Sequence, residues 1–419
     1  MRIVADLHIH SKYSRAVSQE MTLENISLWA GKKGIQVMGT GDFTHPQWFN
    51  EIKTKLEPAE EGLYKLVASS QPSVASTRFL LTTEISSIYS KGGKARRIHN
   101  LIFAPSIKAV EKINTKLGWI GNLKSDGRPI LGLDSKELLK IILEADEKCV
   151  LIPAHAWTPW FSIFGSMSGF NSIEECFDEM SPHIFAIETG LSSDPAMNRR
   201  LSALDKISLI SNSDSHSLQK LGREANVFDC ELSYDGIINA IKSKDPKKFL
   251  YTIEFFPEEG KYHYDGHRLC NVSFSPEETK KNKGICPVCG KKLTVGVLSR
   301  VDELADLPAE AAAKAGRIPF KNLISLDEII GEAMGVGPKS KKVMGQYEKL
   351  VSNLGSELKI LEEISCDEIS QVSDSRIAEA IKRVREGRVD IKPGYDGEYG
   401  KISIFGKDKK ADTPQTTLF

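Results

Sequence analysis

Val4-Ala5-Asp6-Leu7-His8-Ile9-His10 is the stretch on which the reading of the fold turns. Apolar and polar residues alternate along it, so a strand here has one apolar face and one face free for ligands. His8 and His10 are two apart, and on a strand both imidazoles point the same way. Two neutral nitrogens converging on one point suit a divalent metal. A lone His-x-His is weak, because such a pair is commonly surface or satisfied core. The other histidines strengthen it. Of nine in the chain, His8, His10, His45, His99, His155 and His216 each lie near the end of an apolar, strand-like run, most beside a carboxylate.

The 419 residues suffice for two or three domains. With a formal net charge of +0, any anionic partner must be met by local patches. No apolar run reaches the length of a membrane span, and the N-terminus enters a strand without a signal-peptide h-region. The expectation is a monomer that is cytoplasmic, nucleoid-associated and makes no membrane contact. Cys149, Cys176, Cys230 and Cys366 are scattered, while Cys270, Cys286 and Cys289 cluster. In a reducing compartment such a cluster points to metal rather than disulfides.

Up to about residue 250 short apolar runs alternate with helical patterns. Strands are expected at 2–7, 36–40, 79–84, 99–104, 150–154, 186–188 and 208–211. Helices are expected at 22–33, 135–147 and 172–179. That alternation means parallel strands with helical crossovers. In a parallel barrel, catalytic groups gather at the C-terminal strand ends. Those ends carry His8 and His10, then Gly41-Asp42-Phe43-Thr44-His45, Glu84, His99, His155, and Asp214-Ser215-His216. All are nitrogen or oxygen donors, which suits zinc, manganese or iron. A carboxylate such as Glu84 can bridge two ions, and two ions roughly 3.5–4 Å apart can drive phosphoester hydrolysis.

The ordered set resembles the PHP (polymerase and histidinol phosphatase) superfamily. The resemblance implies a distorted (β/α)7 barrel with up to three metal ions at its C-terminal mouth. It assigns His8, His10, Glu84, His99, His155, Asp214 and His216 as ligands. The family's second motif has histidine where this chain has Phe43. Asp42 or His45 would then serve the third ion. Arg15 also stands where some relatives have histidine.

Near the mouth, Lys91-Gly92-Gly93-Lys94-Ala95-Arg96-Arg97 runs into His99. It reads either as a solvated hairpin or loop, or as a clamp on a nucleic-acid backbone through Lys94, Arg96 and Arg97. Trp157, Trp160, Phe161 and Phe164 follow His155; Trp157 and Trp160 are base-stacking candidates, or else the lid of a core.

Residues 251–300 change character. Cys286-Pro-Val-Cys289-Gly290 is a zinc knuckle, completed by Cys270 and His267, with His263 in reserve. From 301 the pattern is helical. Gly335-Val336-Gly337-Pro338-Lys339-Ser340-Lys341-Lys342 frees backbone N–H groups to face an anion, with lysines following. It resembles the hairpin of helix-hairpin-helix DNA-binding motifs; a plain helix connection is the alternative. Pro393-Gly394-Tyr395-Asp396-Gly397-Glu398-Tyr399-Gly400 is turn-rich, and no phosphate-binding P-loop is present. The polar tail ends in Gln415-Thr416-Thr417-Leu418-Phe419, where Gln415, Leu418 and Phe419 resemble a sliding-clamp-binding peptide.

Together these features resemble the endonuclease Q family. The resemblance implies a barrel over 1–250, a zinc-binding module over 251–300, a helical DNA-binding domain over 301–400 and a flexible tail over 401–419. It implies cleavage of double- or single-stranded DNA on the 5′ side of uracil, hypoxanthine, xanthine or an abasic site. Glu84, His8, His10, His155 and Asp214 would carry the chemistry with a metal-activated water, the lesion being flipped into a pocket. Zinc is expected in the cysteine site and in the catalytic cluster, with Mg²⁺ or Mn²⁺ as alternatives for catalysis. Two other readings are a histidinol-phosphate-type phosphatase and a non-catalytic DNA-binding module. Neither explains both the zinc knuckle and the intact ligand set.

Overall fold

The computed structural model describes residues 1–67, 77–312 and 318–406. Its first strand, Arg2–Asp6, ends before the two histidines. They stand on the segment that follows, where Ile9 bridges Ser215 in parallel and the His10 N–H donates to the Ser215 carbonyl at 3.0 Å.

A closed ring is formed by Arg2–Asp6, Val37–Gly39, Arg78–Lys91, Lys94–Ala104, Val150–Pro153, Ala186–Glu188 and Ser208–Ile210. Ladders join the first five strands and the last two. The Ala156 N–H donates to the Glu188 carbonyl, and the Ile9–Ser215 bridge closes the circle. This is the mixed α/β, PHP-type arrangement. Successive residues feed opposite faces: Val4, Met38 and Leu81 enter one apolar cluster, and Ile3, Ala5, Leu7 and Leu80 the other. Strands buried on both sides need continuous apolar runs.

The expectation of uniformly parallel strands fails at Lys94–Ala104, which runs against both neighbours. The cause is local. Gly92 and Gly93 have φ of 61° and 72°. Two successive left-handed residues make a tight hairpin turn, and glycine takes that conformation without strain. Outside the ring, Ala225–Asp229 pairs antiparallel with the first strand, then Phe249–Glu254 and Phe320–Asn322 extend the sheet.

Helix Leu23–Lys33 starts at its Thr22 cap and stops at Gly34, whose φ is 90°. Helix Ser135–Ala145 is capped by Asp134. The third expected helix is shorter, Ile173–Phe177, because Asp178 turns to a φ of 46° and a 3₁₀ turn follows.

Further on, a hairpin of Asp265–His267 and Val272–Phe274 leads to helix Pro276–Lys281 and then to helix Val297–Leu304. Arg300, on that last helix, is buried. It donates to the Phe164 and Phe170 carbonyls, both at 3.1 Å, and to Asn171 Oδ1 at 2.7 Å. The loop after His155 is therefore fastened from the cysteine-bearing region. Helices Leu326–Met334, Lys341–Leu354, Glu357–Glu362, Cys366–Val372 and Ser375–Arg385 share an apolar core that includes Ile329, Tyr347 and Ile381. A buried ion pair, Lys33–Glu357 at 2.7 Å, ties them to the first helix.

Beyond these helices the chain returns to the cysteine-bearing hairpin. The Tyr264 N–H donates to the Gly394 carbonyl at 2.9 Å. The Arg268 N–H and the Thr294 hydroxyl each donate to the Asp396 carboxylate at 2.6 Å. Tyr395 lies so close to Gly266 that a Cβ there would be 2.4 Å from the ring. Among the described residues no helix is long and apolar enough to cross a membrane.

Candidate metal centre

His8, His10, Glu84 and Asp214 offer ligand atoms that all lie within 4.8 Å of one another, and so do Glu84, His99 and His155. Glu84 belongs to both groups. Its Oε1 is 2.7 Å from His99 Nδ1 and 3.0 Å from His155 Nε2. Its Oε2 is 3.3 Å from His10 Nε2 and 3.6 Å from His8 Nε2. Asp214 Oδ1 faces the same two nitrogens at 3.0 and 3.7 Å. One carboxylate thus serves two adjacent donor sets, the arrangement that a pair of cations requires.

The buried donors fit a cation. His8 Nε2, His10 Nε2 and Asp214 Oδ1 are buried and make no hydrogen bond. Leaving such atoms unmatched is costly, and a cation satisfies all three. The opposite edge of each ring is occupied. Asp42 Oδ1 takes His10 Nδ1 at 2.9 Å, and Glu188 takes His8 Nδ1 at 3.0 and 3.1 Å. Carboxylates on Nδ1 fix the tautomer and leave Nε2 as the free donor.

Backbone conformation contributes as well. Asp42, His155 and Asp214 have φ of 49°, 30° and 46°. Left-handed backbone at non-glycine residues is strained, and it concentrates where a site demands it.

Burial favours neutral imidazoles, yet Glu188, Glu84 and Asp214 hold His8 well above the usual histidine range. Asp42 and Asp214 do the same for His10. Protons and cations therefore compete for these nitrogens. Burial pushes His99 down to about 4, against the pull of Glu84. Burial would raise Glu84, but His99, Arg128 and His8 outweigh it and hold the carboxyl ionised, well below the usual range.

Three expected ligands are placed differently. Asp42 is taken up by His10 on one oxygen and by the Ser11 N–H, Ser11 hydroxyl and Ser14 hydroxyl on the other. It orients a ligand and is not itself free to bind. His45 is buried and stacks on Tyr13 at 4.5 Å, outside both donor groups. His216 bonds its Nδ1 to the Asp214 carbonyl at 2.8 Å and meets the His10 ring at 4.8 Å, also outside both. Phe43 is fully buried in the apolar core.

Two residues at the site escaped the sequence reading. Glu188 ends an expected strand, as the other donors do, and that position was the available signal. Arg128, in an irregular loop without periodicity, gave none; its Nη1 donates to Glu84 Oε2 at 3.1 Å.

A third donor group combines His267, Cys270, Cys286 and Cys289, again within 4.8 Å. His263 is buried outside it, stacked at 5.5 Å on Tyr264.

Among the other candidates, Lys94 and Arg97 are exposed on the hairpin. Arg96 instead lies over Phe170 at 4.0 Å and donates to the Gly169 carbonyl. Trp157 is fully buried and its indole N–H donates to Asn198 Oδ1 at 2.7 Å, so it is core and has no face for a base. Trp160 is partly exposed, edge-on to Tyr262 at 5.6 Å. Gly335 closes helix Leu326–Met334 with φ 68°, and Gly337, Lys339, Lys341 and Lys342 are exposed on the following turn and helix start. Gln415, Leu418 and Phe419 lie outside the described residues.

Residues 325–388 match the family described as the MJ0043 C-terminal domain. Over 417 residues the chain is 30% identical to the uncharacterized protein YqxK of Bacillus subtilis, covering 96% of this chain and 99% of that protein. Over 258 residues it is 35% identical to the uncharacterized protein MJ0043 of Methanocaldococcus jannaschii; the match covers 60% of this chain but 31% of that longer protein. In structure it is similar to the lesion-specific endonuclease PfuEndoQ from Pyrococcus furiosus, with a TM-score of 0.84 and 31% identity over 99% of this chain and 98% of that one. It is similar too to endonuclease Q in complex with a 27-mer duplex bearing an abasic lesion at the active site, with a TM-score of 0.83 and 31% identity over 100% of both chains.

Proposed function

Because the chain belongs to the endonuclease Q family, we propose that it is a metal-dependent, lesion-specific DNA endonuclease that cuts the phosphodiester 5′ to uracil, hypoxanthine, xanthine or an abasic site. The observation that carries this reading is the pair of donor groups sharing Glu84. Bound divalent ions would supply an activated water and stabilise the attacking and leaving oxygens of an in-line displacement. The chain's own part is to hold and aim. His8, His10 and Asp214 face one side of Glu84, and His99 and His155 face the other. Asp42 and Glu188 keep the imidazoles turned inward.

A base can be enclosed and its Watson–Crick edge tested only outside the stack, so the lesion is flipped out before cleavage. Weak pairing of a damaged base lowers that cost. Lys94 and Arg97, together with Gly335, Gly337, Lys339, Lys341 and Lys342, supply sequence-independent grip on phosphates. Of the two stacking candidates, Trp160 is the one left partly exposed. His267, Cys270, Cys286 and Cys289 suit a closed structural zinc site. The functional units are the barrel to 250, the zinc module to 300, the helical domain to 400 and a clamp-binding tail, in a cytoplasmic, nucleoid-associated monomer. The catalytic group takes Zn²⁺, Mg²⁺ or Mn²⁺.

The test is an end-labelled duplex carrying one uracil, incubated with the protein and Mg²⁺ or Mn²⁺ beside an undamaged control. A nick on the 5′ side of uracil alone is expected. No nick, or nicking of both duplexes, overturns the assignment.

A further inference from the structure

Arg128 reaches the shared carboxylate from a loop built to bring it there. The Gly127 N–H donates to the Tyr13 carbonyl at 3.1 Å, the Arg128 N–H donates to Asp126 Oδ1 at 3.1 Å, and the Ser86 N–H donates to the Pro129 carbonyl at 3.0 Å. Gly127 is pressed against the carboxylate that orients His10. A Cβ there would lie 2.3 Å from both Asp42 Oδ2 and Ser14 Oγ, so no side chain fits without moving the site. The next residue then puts its guanidinium 3.1 Å from Glu84 Oε2.

Oε2 is also the oxygen that faces His8 and His10. A cation held by those imidazoles and the guanidinium of Arg128 thus make competing claims on one oxygen, and two positive charges this close repel. Guanidinium carries five donors in a planar fork that matches phosphate, and Arg128 is partly exposed at the mouth.

We propose that Arg128 is a movable counter-charge. It neutralises Glu84, yields Oε2 to a divalent cation, and then grips the non-bridging oxygens of the phosphate to be cut. Metal loading and phosphate capture become one linked event. The second half of this inference rests on the nuclease reading above; the first half does not.

The test uses the full chain after chelation, with Mn²⁺ alone as the first probe. By calorimetry, Arg128→Ala should bind Mn²⁺ on the order of tenfold more tightly, because a competing positive charge has gone. Binding of a duplex with one abasic-site analogue, measured with Mn²⁺ saturating, should weaken on the order of tenfold, and Arg128→Lys should not restore it because lysine lacks the fork. Unchanged or weaker Mn²⁺ binding in Arg128→Ala overturns the counter-charge. Tighter Mn²⁺ binding with unchanged DNA affinity overturns the grip on phosphate, as does full rescue by lysine. If the wild-type protein prefers no damaged duplex, the nuclease reading has failed, and the Mn²⁺ titration still decides the counter-charge.

Discussion

Replacing Glu188 by glutamine tests whether the inner face of the metal site is aimed from behind. The carboxylate is fully buried and surrounded by donors alone. Oε1 accepts from His8 Nδ1 at 3.0 Å and from Asn212 Nδ2 at 2.9 Å. Oε2 accepts from the His155 backbone N–H at 2.8 Å. Glutamine has nearly the same shape but only one acceptor oxygen. Whichever way the amide turns, its NH₂ meets a donor. One hydrogen bond to a charged group is lost and an N–H is left unmatched, at a cost of about 1–3 kcal/mol in stability. The weaker, uncharged hold on His8 has its own effect: losing a carboxylate behind a metal-binding imidazole weakens metal binding about 10- to 100-fold. Titration calorimetry with Mn²⁺ reads the second effect, and urea denaturation reads the first. A variant that binds Mn²⁺ as tightly as the wild type, at whatever stability, would refute the idea that Glu188 aims His8.

Cys286→Ser should remove one zinc per chain in elemental analysis. It should also slow cleavage, because Arg300 on the adjoining helix fastens the loop after His155; zinc loss with full nuclease activity would show the two to be independent. Lys339→Ala combined with Lys341→Ala should weaken damaged and undamaged duplex equally. The salt dependence of binding should flatten by about 0.9 for each phosphate no longer neutralised, and a selective effect on damaged DNA would assign these lysines another role. Burial pushes Glu254 up to about 8 from an ordinary 4.5. The folded protein therefore holds a proton that the unfolded chain releases, and stability falls as pH rises from 4.5 towards 8. Glu254→Gln should flatten that part of the stability–pH curve; an unaltered slope in thermal denaturation would show that the loss originates elsewhere.

Much of the ring was legible because its strands are buried on both faces and therefore read as continuous apolar runs. Ala186–Glu188 falls where those runs put it. The reversed direction of Lys94–Ala104 was written in Gly92-Gly93: a hairpin is one reading of that stretch, and a hairpin reverses the strand that strand–helix alternation alone would make parallel. At the site, two-residue offsets and strand-end positions brought His8, His10, Glu84, His99, His155 and Asp214 into view. Which carboxylates face inward and which stand behind a ring was not legible: Asp42 and Glu188 differ from Glu84 only in what surrounds them. Trp157 and Trp160 likewise share a loop, and packing alone separates a core residue from an open one. Arg128 depends on a loop conformation that no periodicity encodes.

The return of the chain from its helices to the hairpin of Asp265–His267 and Val272–Phe274 has a consequence for synthesis. A ribosome delivers His267, Cys270, Cys286 and Cys289 early, but Gly394, Tyr395 and Asp396, which seat that hairpin, emerge only after the whole helical bundle. During that interval a nascent chain carries the donor cluster while its seat is still missing. The seating of this hairpin thus waits on translation beyond the bundle, and a chain stopped just before Pro393 should carry an unbraced module that limited proteolysis cuts faster than in the full chain.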